Sequence, residues 1–229
     1  MSVVHEIINP QSESQQEFAK SLGELGRRKV LSPAAAVQND QIRALVQQLF
    51  FSEGSKAVRH VGFAPVEGST ATATLCLEVA TALAESRRYD VGLIDANTEA
   101  VSLSRQLELD PPSQDNATWS VAPHLWMVPR QNWLQDDEGN RGTERDLARL
   151  RELTSEFDFS ILWCPPMSWL TASVARTCDG LVLVLAANKT RRIVVAQVRD
   201  QLRQAQVPLL GSVLAERRFP VPQGLYRNL

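Results

Sequence analysis

Val61-Gly-Phe-Ala-Pro-Val-Glu-Gly-Ser-Thr-Ala-Thr-Ala-Thr74, with the apolar run over residues 75–84 behind it, is the stretch that decides how this chain is read. It has the pattern of a strand, a tight polar loop and a helix, the arrangement that holds a nucleotide phosphate at a helix start. A working loop of the form G-x-x-x-x-G-K-[ST] needs glycine where backbone meets phosphate, lysine for the β and γ charges, and a hydroxyl for magnesium. Counting back from the helix puts the lysine position on Thr72, with Ala71 for the preceding glycine and Ala73 or Thr74 where the hydroxyl belongs. No shift of register supplies the cation, because no lysine occurs between Lys56 and Lys189. Gly68, Ser69, Thr70, Thr72 and Thr74 are left as groups that an anion could meet. A vestigial loop that binds nothing is the competing reading, and Glu67 favours it by repelling phosphate.

Outward from this stretch, strands and helices alternate. Ile42, Leu45, Val46, Leu49 and Phe50 recur at helical spacing behind a cap at Asn39 or Asp40. Strands are expected over residues 57–64, 89–95, 124–128, 159–163, 181–186 and 209–214, and helices over 72–86, 144–156, 170–177 and 191–204. The wholly apolar Leu181-Val-Leu-Val-Leu-Ala186 suits the middle of a parallel sheet covered on both faces. The alternation predicts an α/β fold: a doubly wound, mostly parallel sheet with helices on both faces and right-handed crossovers. Ligands of such sheets lie beyond the carboxyl ends of the strands, where the loop after residue 64, Asp95 and the turn at 163–167 would meet. Residues 1–38 are polar enough to read as a flexible tail, leaving residues 39–229 as one domain.

Composition narrows the rest. A net charge of −2 gives no general attraction to nucleic acid or anionic lipid. No apolar run approaches the ~20 residues that span a bilayer, and the first ten residues lack a secretion signal's basic lead and apolar centre. Cys76, Cys164 and Cys178 show no C-x-x-C spacing and read as buried reduced thiols of a cytoplasmic protein. No His or Cys grouping has metal-ligand spacing, so no metal site is expected.

Leu93-Ile-Asp95-Ala-Asn97, Phe157-Asp-Phe-Ser-Ile-Leu-Trp-Cys-Pro-Pro166 and Cys178-Asp-Gly-Leu-Val-Leu-Val-Leu-Ala-Ala-Asn-Lys-Thr-Arg191 follow the loop in order. Together they resemble motifs of the bacterial tyrosine kinases of capsule and exopolysaccharide export, relatives of the MinD/ParA ATPases. Those motifs typically read L-I-D-A-D, F-D-x-I-I-I-D-T-P-P, and A-D-G-V-V-L-V-V followed by K-T-R. The resemblance implies a P-loop NTPase-like fold from about residue 40 onward, and places Asp95, Lys189 and Arg191 about a nucleotide.

Departures from the pattern matter as much. Trp163 stands where the resemblance puts the magnesium aspartate, and Asn97 replaces the second acid of L-I-D-A-D. Trp163 can plug the empty centre or stack on a nucleobase; Asp95 can face a nucleotide or cap the next turn; Lys189, Arg191 and Arg192 can contact a ligand or simply open a solvated helix. The oligomer-forming motif E-x-x-R-x-x-R is half kept, by Asp40 and Arg43, with Val46 for its last arginine. The C-terminal tyrosine cluster is reduced to Tyr226, near Arg217 and Arg218, in a tail that can lie on a partner or close over its own sheet.

The resemblance therefore implies an inactive, pseudokinase-like protein with no cofactor expected. Its partner would be the cytoplasmic part of an inner-membrane polysaccharide co-polymerase or a paralogous active kinase, with homo-oligomers also open, and its place the cytoplasm, or the inner-membrane surface through that partner. The alternatives are a divergent tyrosine autokinase using ATP or ADP with magnesium, with Arg191 or Arg192 for the lysine, and a ParA/MinD-like positioning ATPase.

Overall fold

The computed structural model describes residues 33–52, 57–67, 71–85, 88–98, 101–109, 118–135 and 142–215. Its first element is helix α1 (Pro33–Phe50). The helix starts at Pro33 and not at a cap on Asn39 or Asp40. Proline suits the first turn, where its missing N–H costs no helical bond, and the alanines that follow have the highest helix propensity. Residues 33–38, read as part of a tail, are helical. Further along, Ile42, Val46 and Phe50 are buried as their spacing requires.

Next come β1 (His60–Pro65), α2 (Ala71–Ala84) and β2 (Val91–Asp95), the last wholly buried. A single turn, α3 (Leu103–Gln106), precedes β3 (Trp119–Ala122) and β4 (Leu125–Val128). The chain continues through α4 (Glu144–Ser155), β5 (Phe159–Trp163), α5 (Trp169–Ala175), β6 (Gly180–Ala186), α6 (Arg192–Gln204) and β7 (Leu209–Ala215).

The seven strands lie in the order β3-β4-β2-β5-β1-β6-β7. Every neighbouring pair is parallel except β3 with β4. That antiparallel edge hairpin was not anticipated, and the strand expected from residue 124 begins one residue later. His124 lies in the tight turn with φ +62°, a left-handed conformation incompatible with continuing a strand. The other expected strands and helices are all present, with ends shifted by a few residues.

Each sheet face carries its own core layer. Val61, Phe63, Leu93, Ile161 and Val182 pack beneath α1 and α2, while Ala64, Ile94, Leu162 and Leu183 pack with Leu150 of α4, Leu170 and Val174 of α5, and Val198 and Leu202 of α6. The chain runs from β1 past β5 to β2, and later from β5 past β1 to β6. The order therefore reverses at β1 and β5, which opens a crevice at their carboxyl ends. Cys76 and Cys164 are buried and Cys178 partly so, all three as free thiols.

Candidate functional site

Parallel pairing fixes what meets at this crevice. Trp163, the last residue of β5, lies level with Phe63 of β1 on one side and Asp95 of β2 on the other. Its carbonyl accepts from the Ala96 N–H at 3.1 Å, and the Cys164 N–H bonds the Phe63 carbonyl at 2.9 Å. The strand ends are thus locked together through backbone. The indole is 6% exposed and belongs to the layer under α2, with Phe63, Ala73 and Cys76. It fills the space as packing, and no face is left open for a base to stack on.

Asp95 is 2% exposed. One carboxylate oxygen accepts from the Asn97 N–H at 3.1 Å and the other from the Leu103 N–H at 2.8 Å, so the side chain closes a turn and holds the start of α3. Burial pushes its pKa up to about 6, against the two N–H bonds and the charge of Arg130, which lower it. The Trp133 Nε1–H donates to the Asp95 carbonyl at 2.9 Å, and Arg130 reaches the Asn97 carbonyl at 3.4 Å. Asn97 itself is buried. Trp133 and Arg130 belong to the site and were not anticipated, since nothing in the local pattern foretells a bond to a residue 38 positions away.

Gly68, Ser69 and Thr70 lie outside the described residues. Of the positions beyond them, Ala71 opens α2, Thr72 is wholly buried and Thr74 is exposed. Thr72 Oγ1 has no hydrogen-bond partner among the described residues. A residue in the lysine's place must face the loop, whereas Thr72 shares the inward face of α2 with Cys76, Val79 and Leu83. The position that the sequence count gives to the lysine is thus turned into the core.

Lys189 and Arg191 are exposed on the same carboxyl edge, in and after the turn that follows β6. Three strand spacings, about 14 Å, separate β6 from β2. Arg191 occupies the N-cap position of α6 without a side-chain capping bond. Asp40 is exposed on α1. Arg43 lies 3.7 Å from Glu85, just past the end of α2 and so at the opposite edge of the sheet, while Val46 is buried. The helix that carries the half-kept motif thus spends the position of the last arginine on its own core. Arg217, Arg218 and Tyr226 lie outside the described residues.

For magnesium the described groups are a poor fit: each Asp95 oxygen already accepts a backbone N–H, and an apolar ring occupies the neighbouring strand end. Among the described residues, no three His, Cys, Asp or Glu side chains group as a metal site would require.

No family model matches the chain, and no curated protein matches it in sequence. Solved structures match it well. The chimerical protein CapA2B2 superposes with a TM-score of 0.66 at 16% identity, over 86% of this chain and 88% of that one. The kinase domain of Escherichia coli tyrosine kinase ETK gives 0.64 at 17%, over 90% of both chains. The fold is P-loop NTPase-like and matches tyrosine-kinase domains. A ParA family ATPase from Chlorobium tepidum is also similar, with a TM-score of 0.57 at 16% identity over 75% of this chain and 79% of that one. Identities this low fix the fold and no more. No helix among the described residues is long and apolar enough to cross a membrane.

Proposed function

We propose that this chain is a catalytically silent counterpart of the tyrosine-kinase domains that it resembles in fold. It acts by binding, as a regulator or scaffold of exopolysaccharide or capsule biosynthesis and export in the cytoplasm. Its partner is the cytoplasmic part of an inner-membrane co-polymerase or an active kinase of the same system.

The observation that carries this reading is Trp163, buried between Phe63 and Asp95 where the resembling motif carries a magnesium aspartate. Phosphoryl transfer rests almost wholly on positioning and on cations that neutralise oxygen charge. The loop stretch has no lysine, and the carboxylate at the neighbouring strand end is buried and bonded to two backbone N–H groups. Each lost group of this kind typically costs a few kcal/mol of transition-state stabilisation.

The experiment is reconstitution of the purified chain with the cytoplasmic segment of its host's co-polymerase and with the host's active kinase domain. The expected result is a stoichiometric complex with one of them, or an altered autophosphorylation rate of the kinase, with no label on this chain when it is incubated alone with ATP. Self-labelling, or indifference to both partners, contradicts the proposal.

A further inference from the structure

Trp169 and Ile193 are the most exposed large apolar side chains among the described residues, at 69% and 67%. Both stand at the carboxyl edge of the sheet. Trp169 is the first residue of α5, which follows β5, and Ile193 is the second of α6, which follows β6. The two helices share one face, where Leu170 and Val174 pack in the same layer as Val198 and Leu202. Helix α5 packs on β1 and α6 on β7, two strand spacings or about 10 Å apart, so both helices open at the same edge of the sheet.

Singly exposed apolar residues are ordinary. Here, however, the indole shares its rim with two exposed guanidinium groups, those of Arg191 and Arg192. Tryptophan and arginine are the residue types most enriched where binding energy concentrates. The positions are also poor for helix stability. The first turn of α6 holds no acidic residue, and its N-cap makes no side-chain bond. Cations lie on the unfavourable, positive end of the helix dipole, and nothing in the packing of α6 requires them there.

We propose that this rim binds an acidic, extended peptide segment carrying an apolar side chain, supplied by another protein. The inference rests on the binding role proposed above and names the surface and the partner chemistry. The apolar side chain covers Trp169 and Ile193, and the carboxylates meet Arg191 and Arg192. Charge decides against residues 216–229 of this chain as the occupant, since Arg217, Arg218 and Arg227 outnumber Glu216 there. Glu67, also at this edge, belongs to the loop that turns to the opposite face under α2.

The test is selection of a random displayed peptide library on the full chain, followed by titration of the selected peptides. Peptides rich in Asp or Glu with Leu, Ile or Phe are expected. Their affinity should fall at least about tenfold with Trp169→Ala and with the pair Arg191→Glu and Arg192→Glu. Trp169 is exposed, so the Ala variant should keep the wild-type circular dichroism and melting temperature. Basic peptides, peptides that bind Trp169→Ala unchanged, or none tighter than ~100 μM would each overturn the proposal. So would a self-associating chain that Trp169→Ala renders monomeric, which would make the rim an interface between copies. Titrating ATP with magnesium into the same preparations separates the two claims: nucleotide binding overturns the silent centre and leaves the rim standing, while peptides indifferent to Trp169 do the reverse.

Discussion

Trp163 and Asp95 sit side by side at two strand ends, one packed into the core and the other bonded to the backbone of a turn. The indole supplies buried area, and its replacement by alanine should destabilise the fold by about 3–5 kcal/mol in chemical denaturation, the usual range for a buried aromatic. Trp163→Asp, which puts back the acid of the resembling motif, should destabilise at least as much and produce no ATP turnover. A stable, active Trp163→Asp protein would mean that one substitution alone silenced the site. Asp95 has a signature in pH. Its folded pKa of about 6 lies above the ordinary 3.8, so between these values the native state holds a proton that the unfolded chain has released. Stability contributed at this residue therefore falls as pH rises through that window and is level above it. Urea midpoints taken from pH 4 to pH 7 should show the wild type losing roughly 2–3 kcal/mol relative to Asp95→Asn; parallel curves would place the titration elsewhere.

Among the elements, close packing and capping make separate demands. A methyl group on Gly180, at the start of β6, would lie 2.6 Å from Leu210 Cγ and 2.9 Å from the Pro208 carbonyl. That carbonyl is held by the Leu181 N–H at 2.8 Å and cannot easily retreat. Gly180→Ala should therefore cost about 1–3 kcal/mol and loosen β7 from the sheet, which hydrogen exchange of residues 209–215 would report. At the start of α4, Thr143 and Asp146 form a reciprocal capping box, and Asp146 also accepts from the Gln135 N–H. Thr143→Ala should lower stability by about 1 kcal/mol. This is the scale at which the sequence is most legible. Apolar runs such as residues 181–186 announced the parallel strands, and the spacing of Ile42, Val46 and Phe50 announced the inward stripe of α1. The short elements β3 and α3 escaped, as did the first residues of α1. The four residues of β3 follow a proline-rich stretch and present no run long enough to show alternation, and Pro33 reads as a breaker until its place in a first turn is known. At the site, the adjacency of Asp95 and Trp163 was legible from motif order. The turn of Thr72 into the core was not, because a threonine in a helix's first turn carries no mark of whether it faces solvent or the sheet.

As a whole, the molecule has a P-loop NTPase-like fold, with its crevice where the strand order reverses and Trp163 and Asp95 held there in packing and backbone bonds. The outer rim of the same edge, at the starts of α5 and α6, carries the exposed aromatic and cationic side chains. The silent centre and the binding rim proposed above therefore lie on different residues, and substitutions at one are expected to leave the other unchanged. The central claim is that the crevice no longer handles a triphosphate. Calorimetric titration of the purified full chain with ATP and magnesium tests it most directly. No saturable heat is predicted up to about 1 mM ATP, the upper end of the range in which enzymes commonly work; saturable binding of ATP would contradict the account.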